Sequence, residues 1–487
     1  MSPLLLFSFV VAYFALLLFV AYRTSRGSDN ESFFIGNRNS NWMLVAFGMI
    51  GTSLSGITFV SVPGAVARDS FSYFQITLGY FLGYILIAYV LLPLYYRMHV
   101  TSIYNYLNDR LGVSSYKTGA AFFILSRVLG ATARLYLVVN ILQGAILEGF
   151  HVPFWLTTLI ILLMILLYTY EGGVKTIVWT DTLQTTCMLG GMVICILFIL
   201  QHLNLNLAGA FQLMQAKGYS KIFFTDPDSK LFFAKQIIAG MFITVTMTGM
   251  DQEMMQKSIS VKTLKDSRKN MVALGFIMLI VIFLFLLLGG LLYLFAANEN
   301  STATGDHLFP DLALHHMPPF ISIIFIIALI SALFPSSDGA ITALTASFCI
   351  DILGINRNQN LNEGSRKKIR QRVHLVFIGV FLIFVLIYKW ISSDSMIGII
   401  LKVAAYTYGP LLGLFSFSIF TRRQLRSQWV PLVCILSPIL CFFLDKYQTP
   451  LFGNFKIGLE LLLINGIFTF LGLYLISIKP RTLVPGR

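Results

Sequence analysis

About thirteen apolar stretches of roughly 18 residues or more, set off by short polar segments, organise the chain. A helix needs about that length to cross the ~30 Å hydrocarbon layer of a bilayer. They run at about 3–22, 42–66, 73–96, 118–147, 153–170, 178–202, 231–250, 271–295, 318–353, 373–391, 395–420, 429–444 and 457–478. The first has no basic start and no small-residue cleavage site before Arg23, so it reads as a span and not as a removable leader. The pattern predicts an all-α polytopic membrane protein in contact with lipid.

Composition agrees with that class. Hydrophobic residues are 57% and charged residues 11% of the 487, and the mean hydropathy is +0.79, which no soluble core of this size shows. No polar loop exceeds about 28 residues, too short for an attached domain. The five cysteines (Cys187, Cys195, Cys349, Cys434 and Cys441) sit inside apolar stretches without paired spacing, and the seven histidines lack acidic neighbours at ligand spacing. Neither a disulfide framework nor a catalytic metal is expected, and the chain does not read as an enzyme.

The net charge of +14 is a topology signal and calls for no nucleic-acid partner. With the N-terminus outside, 24 of the 35 Lys and Arg fall in cytoplasmic loops and six outside, Lys257 being counted in a cytoplasmic loop. Positive flanks stay cytoplasmic, so this predicts an integral plasma (inner) membrane protein with a cytoplasmic C-terminus.

Polar residues inside the spans carry the candidate chemistry. The second span contains Gly48, Gly51, Thr52, Ser53, Ser55 and Gly56, and the seventh has Gly240, Thr244, Thr246, Thr248 and Gly249. The two lie five spans apart, an odd offset that inverts the second copy, as in transporters built from inverted repeats with broken helices at the midplane. In the ninth span, Ala332-Leu333-Phe334-Pro335-Ser336-Ser337-Asp338-Gly339 places a helix breaker, hydroxyls and a carboxylate at membrane depth, where an ionisable group marks a site or pathway. Arg127 and Arg134 are seven residues apart in the fourth span and share a face that cannot look at lipid. They bind an anionic solute or pair with Asp338 or Glu148.

One more run assigns these features to a family. Tyr168-Thr169 with Gly172-Gly173, followed by Trp179-Thr180-Asp181 and Gln184, resembles the sodium:solute symporter family, whose members have the leucine-transporter fold. Gly51 to Phe59 followed by Pro63 is similar to its first core helix. Thr101-Ser102 with Tyr106-Leu107 and Arg110, Asp251-Gln252 through Gln256-Lys257, and Thr345 to Ile352 follow in the family's order. Asn105 stands where the family often has Glu.

The resemblance covers roughly residues 30–420. It implies an extra N-terminal transmembrane helix in 1–30, a five-plus-five inverted-repeat core with two broken helices in 31–420, and two C-terminal helices and a tail in 421–487. It further implies a Na⁺ site formed by carbonyls of Gly51, Leu54 and Ala332, with hydroxyls at 335 and 336. Ser336 fits, whereas Pro335 offers only a carbonyl. A second family site would unite Asp181 with Asp338, either around a cation or sharing a proton, which leaves Na⁺ and H⁺ both open as coupling ions. Ser53, Ser55, Thr58, Gln75, Arg127 and Arg134 are the solute-contacting candidates. The expected activity is Na⁺-coupled symport of a small polar organic solute, an anion among the candidates, by alternating access in a monomer; a proton-coupled symporter, a channel and a membrane enzyme are the alternatives.

Overall fold

The computed structural model describes residues 3–25, 40–98, 102–355, 357, 360–391 and 396–478, with the side chains of Pro3, Ser25, Tyr168 and 170–175 excepted. Most side chains of the Tyr168 to Gly173 motif, together with Thr101 and the terminal basic residues, therefore lie outside the described part of the chain.

The chain folds into helices: α1 (Pro3–Ser25), α2 (Trp42–Gly64), α3 (Tyr73–Leu86), α4 (Val113–Leu142), α5 (Phe154–His202), α6 (Phe233–Thr244), α7 (Gln252–Ile259), α8 (Leu264–Asn298), α9 (Pro319–Ser347), α10 (Glu363–Tyr388), α11 (Met396–Thr407), α12 (Gly409–Phe420), α13 (Val430–Lys446) and α14 (Leu461–Leu475). A two-residue strand pair, β1 (Gln424–Leu425) with β2 (Ser477–Ile478), ties the end of the core to the last helix. Among the described residues nine helices are long and apolar enough to cross a bilayer, and two bent pairs bring the number to eleven. The remaining two of the thirteen expected spans fall on the shorter apolar stretches Phe154–Leu167 and Leu461–Leu475. The first is not a separate helix. It continues through α5, whose 49 residues make about 74 Å, far beyond one crossing.

Burial separates core from periphery. In α2 and α9, 78% of the most apolar window is covered by protein, against 22% in α1 and α13, whose remaining surface is hydrocarbon suited to lipid. At the centre α9 packs on α5 and α2, α2 on α8, and α6 on α3. Phe59 of α2 is gripped by Phe285 (5.8 Å), Phe309 (5.2 Å) and Phe325 (6.0 Å), which anchors the second half of α2 against α8 and α9.

Two elements are broken where the glycine- and hydroxyl-rich interruptions predict it. In α2 the break falls at Ser55, with φ 52° and ψ 166°. A non-glycine residue there stores of order 1–3 kcal/mol, so surrounding packing must impose the conformation. The α6 helix runs through a turn at Val245–Gly249, and α7 departs from that direction by 67°. Asp251 starts α7 by accepting the Glu253 and Met254 N–H groups (3.0 and 3.3 Å). In contrast α9 stays helical through Pro335. The missing proline N–H leaves the Ser331 carbonyl without its helical donor, and burial of every residue from 328 to 347 holds the helix together.

Candidate cation and solute site

Glycines in α2 bring three helices to one point. A Cβ at Gly48 would lie 3.1 Å from Asp181 Cβ, and one at Gly51 would strike Thr185 Oγ1 and stand 3.4 Å from Pro335 Cγ. A Cβ at Gly56 would strike Val138 and come within 3.9 Å of the Leu333 N. Residues 51–56 of α2 thus lie along 333–335 of α9, with Asp181, Gln184 and Thr185 presented by one face of α5. Gly51, Leu54, Ala332, Pro335 and Ser336 all belong to this contact or flank it, and Leu54, Ala332 and Ser336 are fully buried.

Several hydroxyls here lack the partner that a buried helical hydroxyl commonly finds, a lack that Thr176 and Thr342 share. A buried helical Thr usually donates to the carbonyl four residues back, as Thr132 does to Val128 (2.6 Å) and Thr345 to Ile341 (2.7 Å). Thr185 does not: its Oγ1 is buried without a partner, as are Ser337 Oγ, Asp181 Oδ1 and both polar atoms of Gln184. Ser336 donates to Leu333 O (2.9 Å), which leaves its lone pairs free to accept or ligate. Buried oxygens without donors beside a helix break are the kind of lining that a small cation satisfies.

Asp181 departs from expectation. Its Oδ2 accepts from Lys257 Nζ (2.7 Å) and Thr52 Oγ1 (3.2 Å), so a lysine of α7 expected in a loop is its ion-pair partner. Lys257 also donates to Thr52 Oγ1 (2.7 Å) and lies 3.7 Å from Glu253 Oε1. Glu253 in turn pairs with Arg127, which is 3.7 Å from Asp251, and Asp251 accepts from Tyr408 Oη (2.7 Å). Asp338 is buried, its Oδ1 accepting the Gly339 N–H. Lys257 is therefore not one of the cytoplasmic loop charges, contrary to the count from sequence: it is 2% exposed, drawn inside because α7 is the second half of a broken helix.

A cavity of about 100 Å³ opens beside the α2 break. Ser53, Ser55, Thr58, Arg127 and Arg134 all line it, joined by Tyr73, Tyr80 and Tyr84 of α3. Gln75 does not. Its amide is spent on Ser72 O (3.3 Å), Leu231 O (3.1 Å) and the Phe224 N–H (3.2 Å), pinning the loop before α6 to α3. The two arginines separate by environment. Arg127 is 4% exposed and committed to the α7 carboxylates, whereas Arg134 is half-buried, faces the cavity, and has no hydrogen bond or ion pair among the described residues. Tyr73, Ile397 and Leu401 line both this cavity and a second one of about 550 Å³ bordered by Arg68, Lys230 and Lys402. They form the partition between the two.

Comparison with known proteins places these features in context. The model of the sodium:solute symporter family matches residues 33–427. A sodium/sialic acid symporter of Proteus mirabilis is 23% identical over 467 residues, covering 90% of this chain and 88% of its own. Sodium-coupled monocarboxylate transporter 1 of Mus musculus is 27% identical over 426 residues, 83% of this chain and 66% of its own. A solved Na⁺-coupled sialic acid symporter in a substrate-bound outward-open state superposes with a TM-score of 0.83 at 19% identity, covering 97% of this chain and 99% of its own, so the fold is shared.

Proposed function

The chain belongs to the sodium:solute symporter family, and from that premise we propose that it imports a small polar anion, driven by Na⁺, by alternating access. Na⁺ sits where α2 breaks against α9, held by carbonyls of Gly51, Leu54, Ala332 and Pro335 and by the Ser336 hydroxyl. Thr185, which the family motif does not point to, supplies the hydroxyl that Pro335 lacks; its unpartnered Oγ1 at the Gly51–Pro335 contact supports that role. The positive-inside count orients the cavity of about 550 Å³ outward, with the N-terminus outside and the C-terminus cytoplasmic. Residues 31–420 form the transporter core, with α1 and the last two helices as peripheral additions. At a membrane potential of 100 mV each Na⁺ gains about 2.3 kcal/mol on entry, and a monoanion carried with it gives that back, so a one-to-one cycle draws on the Na⁺ concentration gradient.

The anionic assignment rests on one observation: Arg134 presents an unpaired guanidinium to the cavity while Arg127 is neutralised by Asp251 and Glu253. A planar fork in a partly desolvated site suits a carboxylate. The hydroxyls of Ser53, Ser55 and Thr58 fit the polar remainder of the solute. The test is uptake into proteoliposomes of radiolabelled sialic acid, short monocarboxylates and neutral sugars, under an inward Na⁺ gradient or an inward H⁺ gradient without Na⁺. Accumulation of a carboxylate only with Na⁺ is expected. Uptake driven by H⁺ alone, or of neutral sugars in place of acids, overturns the proposal.

A further inference from the structure

Resting on the Na⁺-coupled reading, we propose that the Lys257 ammonium is a resident cation that fills, from within the chain, the place Asp181 would otherwise offer to a second Na⁺. The protein then takes up one Na⁺ per cycle.

The geometry is that of a coordinated ion. Asp181 Oδ2 and Thr52 Oγ1 each lie 2.7 Å from Nζ, with Glu253 Oε1 at 3.7 Å, so oxygens from α5, α2 and α7 surround one positive charge. The fourth wall is Gly339 of α9. A Cβ there would press on Glu253 Oε1 and stand 3.2 Å from Nζ, so the absence of a side chain is what leaves room for the ammonium. A lysine ammonium is compact and has three donors, which makes it the closest side-chain equivalent of a small monovalent ion.

Charge supports a single additional ion. The connected chain Asp181–Lys257–Glu253–Arg127–Asp251 holds three carboxylates and two cations, one negative charge in excess that one Na⁺ balances, and without Lys257 the excess becomes two. The tether also serves the return of the empty carrier. Once Na⁺ has left, Asp181 keeps its counter-charge, and no bare carboxylate has to rearrange at bilayer depth.

The experiment is ²²Na⁺ binding to the full-length purified protein by scintillation proximity, which needs no solute. Wild type is expected to bind one Na⁺ with a Hill slope near one. Lys257→Gln frees Asp181 Oδ2, Thr52 Oγ1 and Glu253 Oε1 beside the already unpartnered Asp181 Oδ1, and is expected to bind two, with the slope rising towards two. Lys257→Arg should remain at one, and so should the charge-balanced double variant D181N/K257Q, which guards against misfolding of the single one. Two Na⁺ in wild type, or one in a folded Lys257→Gln protein, overturns the resident-cation proposal alone. No Na⁺ bound by wild type overturns instead the Na⁺-coupled reading on which it rests.

Discussion

Replacing Thr185 with Val separates a cation ligand from a packing residue, because the two roles give effects of opposite sign. Valine keeps the shape and removes only the hydroxyl. In Na⁺-free buffer that hydroxyl is fully buried and unpartnered, so its loss removes a desolvation cost and should leave the protein as stable as wild type or slightly more so. With Na⁺ bound, one charged interaction disappears, worth about 1.5–3 kcal/mol, or a Na⁺ affinity weakened roughly 10- to 150-fold. Taking a hundred-fold loss at a Na⁺ concentration that is a hundred times the wild-type Kd, the stabilisation by Na⁺ falls from about 2.7 to about 0.4 kcal/mol. The assay is thermal melting of purified protein in NaCl against an equal concentration of choline chloride. Thr185→Ser should restore most of the Na⁺ response. A Thr185→Val protein with the full wild-type Na⁺ shift, or one destabilised equally in both salts, refutes the ligand role.

The two arginines should respond differently to methionine. Arg127→Met leaves Glu253 and Asp251 as buried charges without their cation and should cost about 3–5 kcal/mol, seen as a strongly lowered melting temperature. Arg134→Met should melt near wild type, retain the Na⁺ shift and abolish carboxylate uptake; unimpaired uptake would remove the anion anchor. Outside the membrane-spanning segments, burial raises the carboxyl of Asp306, whose Oδ2 accepts the Met396 N–H at the start of α11 (2.9 Å). The folded protein therefore binds this proton more tightly than the unfolded chain, and the group's contribution to stability falls as pH rises from about 4 through its raised value. Asp306→Asn should lack that decline, so its melting temperature should gain on wild type as pH goes from 4 to 7; a gain in the opposite direction refutes the assignment.

Local composition made the breaks legible and long-range contacts remained hidden. Gly48 to Gly56 announces an interruption in α2 because small residues and hydroxyls are what a backbone without regular helical bonds requires, and Ser55 adopts it. The α6–α7 bend is visible in the same way, falling at Met250–Asp251 directly after the run from Gly240 to Gly249. Pro335 reads as a breaker, yet burial on all sides overrides the lost hydrogen bond. Gln75 shows the opposite limit: its partners Phe224 and Leu231 lie about 150 residues away, and nothing near it in sequence reveals them. Lys257 is hidden for the same reason. In sequence it stands at the head of the basic run 257–269, and only its position on a half-helix turned inward brings it to Asp181. Thr185 carries no signal beyond its i+4 spacing from Asp181.

The partition formed by Tyr73, Ile397 and Leu401 has a practical corollary for kinetics. Two members of this hatch are hydrocarbon and the third a phenol ring, but Leu401 is followed on α11 by Lys402, whose Nζ is 2.8 Å from Asp445 Oδ2 of α13, so swinging α11 away also parts an ion pair that dissolved electrolyte weakens. Fixed ionic strength holds the shielding of that pair constant, and changes in entry rate on swapping Na⁺ for an inert cation then report motion of the helices that carry the hatch.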